Sequence, residues 1–202
     1  MTRSGTSPLL VLAASVLGLS FAAPLVRLST APALVIATWR LAFSLVIVGV
    51  ALVITGGWRK WRTLERAELL LACCGGALLA FHFWSWNASL RYTSVAASVS
   101  LVNLQPVFVA LISAKWLSER PGPRQWIGIV VAIVGALVVG LADVPGGIAG
   151  IKSALTSGAS SAAGNASGRA VFGDLLAIVG ALSATGYYLI GRRVRQRLDR
   201  WP

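Results

Sequence analysis

The sequence predicts an all-α integral membrane protein with six transmembrane helices, and three observations carry that prediction. First, 56% of the 202 residues are hydrophobic and only 12% are charged, whereas a typical soluble domain carries about 25% charged residues. Second, the apolar residues fall into six blocks, each close to the ~20 residues that cross about 30 Å of hydrocarbon. Third, the blocks are apolar on every side and do not alternate in polarity, which favours helices over barrel strands.

Polar or helix-breaking residues separate the six blocks. The first block continues past Pro24 and five others follow it, so we expect a retained helix rather than a cleaved signal peptide. The second block follows Pro32, whose missing N–H does no harm at a helix start, and the third follows the basic stretch 58–67. The fifth block follows the helix breaker Pro121-Gly122-Pro123. The predicted spans are Leu9–Leu28, Ala33–Thr55, Glu68–Leu90, Ser94–Ala114, Trp126–Ala142 and Gly173–Gly191.

Three regions follow from these spans. Residues 1–142 are expected to form a five-helix transmembrane unit. Residues 143–172 are rich in Gly, Ala and Ser, a composition that predicts a flexible external loop without chemistry of its own. Residues 173–202 are expected to form the sixth helix and a basic cytoplasmic tail.

The distribution of positive charge predicts the orientation. If the N-terminus lies inside, 13 of the 18 Lys and Arg residues fall on the cytoplasmic side, leaving Arg27, Arg40, Arg91, Lys152 and Arg169 elsewhere. Cytoplasmic loops of membrane proteins carry an excess of Lys and Arg, so both termini are predicted to be cytoplasmic, in a multi-pass protein of the inner or plasma membrane. Five tryptophans that could anchor at headgroups fall at the same ends: Trp58, Trp61, Trp116, Trp126 and Trp201.

Several other functions are disfavoured by the sequence. The net charge of +12 lies between apolar blocks rather than along one face, so a nucleic-acid partner is not expected. The chain has one histidine and neither CxxC nor GxxxxGK[ST], so we expect no enzymatic activity, no metal site and no cofactor. The six acidic residues lie in loops or at span ends, which argues against a mid-membrane proton relay and an ATP-driven pump. Membrane lipid and a small organic substrate are the expected partners.

The first and sixth blocks show a weak internal repeat. They align without gaps at an offset of 166 residues, which places Leu9-Leu10 on Leu175-Leu176 and Arg27 on Arg193. Five spans separate the two starts, so the copies would cross the membrane in opposite directions. Inverted repeats of this kind are typical of secondary transporters.

Four stretches stand out: Trp39-Arg40-Leu41-Ala42, the run 91–98 continuing to 105–111, Leu117-Ser118-Glu119-Arg120, and Gly173-Asp174-Leu175-Leu176-Ala177. They resemble the corresponding helices of EamA-type transporters, in the drug/metabolite transporter superfamily. The resemblance implies two inverted five-helix repeats, a substrate cavity between them, and movement of amino acids, related metabolites or drugs. This chain departs from that pattern, since it contains the five-helix unit and only the first helix of a second repeat.

Two interpretations of that departure stay open. The chain could be a secondary transporter, or half of one, that moves a small organic metabolite, amino acid or drug by alternating access and pairs as a homodimer or with a partner half. Alternatively, it could be a truncated or accessory membrane protein that needs a partner half and has no transport activity alone.

Two polar features within the second and third spans are candidate substrate-binding or cavity-lining groups. Arg40 lies about seven residues into the second span, where it either snorkels outward or faces a water-filled cavity. His82 is the side-chain type that exchanges protons near neutrality, and it either binds substrate or a coupling ion, or bonds to a neighbouring helix. Trp86 follows at i+4 and therefore shares its face.

The fourth span contains three further candidates. Asn103, Gln105 and Pro106 interrupt an otherwise apolar helix, and the proline removes one backbone hydrogen bond. The cluster predicts a cavity wall or hinge, because freed backbone groups and kinks line cavities in transporters. The alternative is helix–helix hydrogen bonding by the two amides. Pro24 is expected to produce a similar kink in the first span.

Overall fold

The computed structural model describes residues 8–56, 65–116, 122–156 and 162–198. Within these ranges every regular element is an α-helix. The helices are α1 (Pro8–Ser20), α2 (Ala22–Leu28), α3 (Ala33–Thr55), α4 (Arg66–Ser89), α5 (Val95–Val102), α6 (Gln105–Trp116), α7 (Pro123–Asp143), α8 (Gly147–Thr156) and α9 (Ala162–Leu198).

Six stretches of these helices are long and apolar enough to cross a membrane, which confirms the predicted fold class. Two of them are each built from a pair of short helices: α1 with α2, and α5 with α6. The other four are single helices. The spans are Leu9–Leu28, Ala33–Thr55, Arg66–Ser89, Val95–Lys115, Pro123–Asp143 and Ala166–Gln196.

Local sequence accounts for the helix ends. Ser94 caps α5 by accepting a hydrogen bond from the Ala97 N–H at 3.1 Å, the usual role of serine at an N-cap. At the start of α4 the Glu65 N–H donates to the Glu68 carboxylate at 3.1 Å. Gly56 ends α3 at φ +69°, a left-handed conformation that glycine adopts without steric cost.

Helix α9 is the central element of the described structure. It packs against α4, α5, α6 and α8, and 44% of its most apolar window is buried, against 6% for α3. Its contacts with α4 run antiparallel: a Cβ at Gly186 would meet Leu78, whereas the Ser85 hydroxyl donates to the Leu176 carbonyl. Antiparallel packing agrees with the opposite crossing directions expected for the third and sixth spans.

The prediction of a flexible loop over residues 143–172 was wrong for its described part. The segment contains α8, and α9 begins within it at Ala162. Helix α8 packs against α9, and the Ser167 hydroxyl donates to the Pro145 carbonyl at 2.8 Å. Alanine is the best helix former, and tertiary packing supplies stability that composition alone does not reveal.

Parts of the orientation argument lie outside the described residues. These parts are the first seven residues, most of the basic stretch 58–67, and the last four residues of the predicted tail. Trp58, Trp61 and Trp201 therefore lie outside the described residues. The side chain of Trp116 is also not among those that the structure describes. The predicted cytoplasmic location of both termini therefore stays a prediction.

Candidate functional site

A cavity of about 330 Å³ lies among α1 to α6, inside the first five-helix unit. Polar side chains from four of these elements reach it, although most of its wall is aliphatic or aromatic. The lining residues are Val16, Leu19, Ser20, Ala23, Arg40, His82, Phe83, Trp86, Val99, Val102, Asn103 and Gln105. Five of the six candidate residues from the sequence therefore meet at one cavity.

Arg40 faces this cavity and does not snorkel out of the span. Its guanidinium carbon lies 4.6 Å from the centre of the Phe83 ring and 5.2 Å from that of Trp86, which is cation–π distance. Among the described residues no carboxylate pairs with this guanidinium and no carbonyl accepts a hydrogen bond from it. The half-buried charge is thus held by two aromatic faces and is otherwise open to the cavity.

His82 is held in place by the neighbouring helix. Its Nδ1 lies 2.8 Å from the carbonyl oxygen of Gly180 in α9, and because a carbonyl can only accept, Nδ1 carries the hydrogen. The second ring nitrogen, Nε2, is then the one left for other partners. Of the two alternatives from the sequence, the bond to a neighbouring helix is present. His82 also lines the cavity, and its binding of a substrate or coupling ion stays a prediction.

Trp86 lines the cavity next to His82. The two rings are parallel within 8° and their centres lie 6.5 Å apart, as the i, i+4 spacing predicts. Trp86 is only 8% exposed and belongs to an apolar cluster with Ala23 and Leu90. Phe83, which the sequence did not single out as a candidate, also lines the cavity.

The fourth span is interrupted where the sequence predicted it. Helix α5 ends at Val102 and α6 begins at Gln105, with Asn103 and Gln105 lining the cavity. Within the described part of the chain neither side-chain amide has a hydrogen-bond partner, so the predicted helix–helix bonding by these amides is not seen. Pro106 is exposed and is not among the lining residues, so its part in this site is limited to the helix break.

The first span is interrupted at the same cavity. The break lies at Phe21, three residues before Pro24, and the flanking residues Ser20 and Ala23 both line the cavity. Two spans are therefore each divided into two helices at residues next to the cavity. Irregular backbone within a membrane is tolerated where it lines a cavity or is buried in protein.

A second polar cluster, which the sequence did not predict, joins three distant segments. The Thr93 hydroxyl lies 2.6 Å from the Asp143 carboxylate and 2.7 Å from that of Asp174. The Ser94 N–H also donates to Asp143 at 2.8 Å. Sequence analysis placed both aspartates at span ends, but their separations along the chain gave no signal that they would meet.

No group of three or more His, Cys, Asp or Glu side chains suited to a metal ion occurs among the residues that the structure describes. The polar groups at the cavity are one guanidinium, one imidazole, two amides and one hydroxyl, beside aromatic faces. Such a set is chemically able to bind and orient a small solute.

Comparison with known proteins gives a family-level match. The family model described as the EamA-like transporter family matches residues 6–141. The chain is 25% identical over 158 residues to the "Uncharacterized transporter YyaM" of Bacillus subtilis, which covers 78% of this chain and 46% of that protein. It is 40% identical over 55 residues to mouse "Solute carrier family 35 member F6", covering 27% of this chain and 15% of that one.

A shorter relative matches part of the chain over most of its own length. It is the Salmonella newport "Probable 4-amino-4-deoxy-L-arabinose-phosphoundecaprenol flippase subunit ArnE", 28% identical over 89 residues, which cover 44% of this chain and 76% of that protein. By contrast, the chain spans less than half of the YyaM and solute carrier proteins. No solved structure matches.

Proposed function

Because the chain belongs to the EamA-like transporter family, we propose that it moves a small organic solute across the membrane by alternating access, with the described cavity as the solute site. The family consists of transporters, which supports membrane transport rather than catalysis for this chain. We further place it in the cell membrane, with both termini cytoplasmic.

One observation carries the proposal: two interrupted spans meet the same polar-lined cavity. Discontinuous helices surround the solute sites of many secondary transporters, where the freed backbone and kinks allow the wall to move. Here the break at Phe21 and the break at residues 103–104 flank a cavity that also holds Arg40 and His82. Rocking about these two breaks would expose the solute to each side of the membrane in turn.

The roles we assign follow from the geometry. Arg40 and the two free amides, Asn103 and Gln105, would hold the polar part of the solute, and Trp86 would pack against its apolar part. His82 would orient the site through its bond to Gly180 and leave Nε2 for the solute or a coupling proton. Pro106 would preserve the break without touching the solute.

The experiment is uptake into liposomes that contain the purified full chain, with labelled amino acids and aromatic acids as the solute panel. A carrier shows saturable uptake that is accelerated by unlabelled solute on the opposite side. We expect Trp86→Ala to lower saturable uptake about tenfold, a loss of roughly 1.4 kcal/mol in solute binding. Trp39→Ala is the matched control, because Trp39 is 60% exposed and lies outside the cavity.

Non-saturable leakage, or equal uptake by the two tryptophan variants, would contradict the proposal.

A second candidate is that the chain is one subunit of a two-part transporter. The similarity to a protein named as a flippase subunit favours it. It predicts that flux appears only when a second copy or a partner half is present. Cross-linked single chains that transport at the full rate would exclude it, whereas flux that rises steeply with the protein-to-lipid ratio would support it.

A further inference from the structure

Among the residues that the structure describes, no carboxylate pairs with the Arg40 guanidinium, which is a charge inside a span. Other arginines donate hydrogen bonds to backbone carbonyls. Arg27 donates to the carbonyls of Leu90 and Thr93, and Arg91 donates to that of Ala31. Of the described residues that line the cavity, Arg40 is the only one with a permanent charge. Charged groups inside membranes are costly and almost always pair or face a watery cavity, so the Arg40 charge favours an anionic solute at this site.

We infer that the cavity takes an organic anion, a carboxylate carried on a small apolar or aromatic body, and that the carboxylate binds Arg40. This inference rests on the proposed function and names the solute class that this site would admit. A cation would be repelled at Arg40, and a neutral solute would leave its charge uncompensated.

The geometry favours a carboxylate in particular. A guanidinium is a planar fork that binds both oxygens of a carboxylate at once. The Arg40 guanidinium lies over the rings of Phe83 and Trp86, and since no described residue accepts a hydrogen bond from it, its N–H groups are available to an anion. The amides of Asn103 and Gln105 line the same cavity and supply neutral donors for a second oxygen or a substituent.

The remaining wall suits an apolar body. The same cavity is also lined by four aliphatic side chains, those of Val16, Leu19, Val99 and Val102. At about 330 Å³ the cavity is near the lower end of the range of roughly 300–1,000 Å³ for ligand sites. A small monocarboxylate therefore fits better than a large drug.

The test compares solutes of similar size and shape that differ in charge. Benzoate is set against benzamide and benzylamine, and hexanoate against hexanamide, at neutral pH with the full chain in detergent micelles. Calorimetric titration measures each affinity. We expect each acid to bind at least about tenfold more tightly than its amide, since a hydrogen bond to a charged group is stronger than a neutral one, and we expect benzylamine not to bind.

Three variants locate the effect. Arg40→Gln should remove the preference for the acid, and Arg40→Lys should retain part of it because the charge stays while the fork is lost. Arg169→Gln is the matched control, since the Arg169 guanidinium also lies over an aromatic ring, 5.6 Å from that of Tyr92, but outside the cavity. It should leave every affinity unchanged.

If Arg40→Gln does not fold, Asn103→Asp serves instead. It places a carboxylate in the cavity as an internal counter-ion and should weaken binding of both acids while sparing the amides. Acids and amides that bind equally, or an acid preference that survives Arg40→Gln, would overturn the inference. Saturable flux of neutral solutes that is lost in Trp86→Ala would overturn it too, yet would leave the transport proposal standing.

Discussion

Thr93 connects three parts of the chain through a single hydroxyl group. Its side chain is 3% exposed. It reaches the carboxylate of Asp143, at the end of α7, and that of Asp174, in the first half of α9. One hydroxyl has one hydrogen to donate, so the second short contact requires the hydrogen to be shared or a carboxyl to carry its own proton. The cluster fixes the turn between α4 and α5 against α7 and α9.

Replacement of Thr93 by valine should destabilise the protein. Thr93→Val keeps the shape but leaves Asp174 without its donor and Asp143 with the Ser94 N–H alone. Hydrogen bonds to charged groups contribute about 1.5–3 kcal/mol, so we expect a loss of about that size, seen as a lower midpoint in thermal unfolding in detergent. Thr93→Ser keeps the hydroxyl and should stay near the wild type. A valine variant as stable as the parent would show that the cluster contributes little.

Individual residues were predictable only where the signal was local. The shared face of His82 and Trp86 follows from i, i+4 spacing, and the break before Pro106 follows from proline chemistry. The approach of Arg40 to Phe83 and Trp86 was not predictable in that way, because it depends on how α3 meets α4. The Thr93 cluster joins residues 50 and 81 positions apart, which no spacing rule addresses.

At the scale of elements, the pair of α4 and α9 depends on close approach at glycines. A Cβ at Gly173 would lie 2.8 Å from the Thr93 backbone nitrogen and 2.9 Å from the Tyr92 Cβ, distances that force the turn to move. At Gly180 a Cβ would meet α4 atoms at 3.5 Å or more, which is ordinary contact. Of these two glycines, Gly173 therefore has the tighter contact.

Gly173→Ala should accordingly destabilise the protein by about 1–3 kcal/mol, the usual effect of overpacking. Gly191→Ala is the matched control in the same helix, since a Cβ there meets nothing within 4 Å. It should be neutral or stabilising by up to about 1 kcal/mol, because alanine is the better helix former. Thermal unfolding of both variants gives the comparison, and equal midpoints would mean that the contact at Gly173 relaxes freely.

Element boundaries illustrate what a sequence can and cannot predict. Hydrophobic length placed the span Ala33–Thr55 at its observed ends, because the apolar run itself sets the helix that crosses a membrane. Pro24 predicted a kink, and the break lies three residues earlier, at Phe21. The helix Gly147–Thr156 was missed, since it is stabilised by packing on α9 rather than by its own composition.

The seven-residue spacing of Gly128 and Gly135 predicts close helix packing, either between the repeats or between two copies of the chain. A Cβ at either residue would meet nothing within 4 Å, so these glycines do not mediate close helix contact within the described part of the chain. Small residues on an open helix face are suited to contact with a second copy or a partner half, and that role stays a prediction.

At the scale of the whole molecule, crossing of the membrane by all six candidate spans of the described residues would place both ends of the chain on one side. Single cysteines placed near each terminus, in a background with Cys73→Ser and Cys74→Ser, can be labelled with a membrane-impermeant maleimide. Both native cysteines are exposed on the surface of α4, so their replacement should be tolerated. In intact cells neither end should react, and in inverted vesicles both should.

Labelling of one end only in intact cells would exclude an even number of spans. Labelling of both ends would reverse the orientation that the positive charges predict, while leaving the span count intact.

In the transport cycle proposed above, Arg40 would also determine where the membrane voltage acts. A unit charge that crosses the full potential changes in energy by about 2.3 kcal/mol per 100 mV. In a carrier that closes on a monoanion, the loaded site is electrically neutral, whereas the vacant site still holds its positive charge. Return of the vacant carrier is then the electrogenic step, and polarisation of the membrane would set the turnover rate without altering solute affinity.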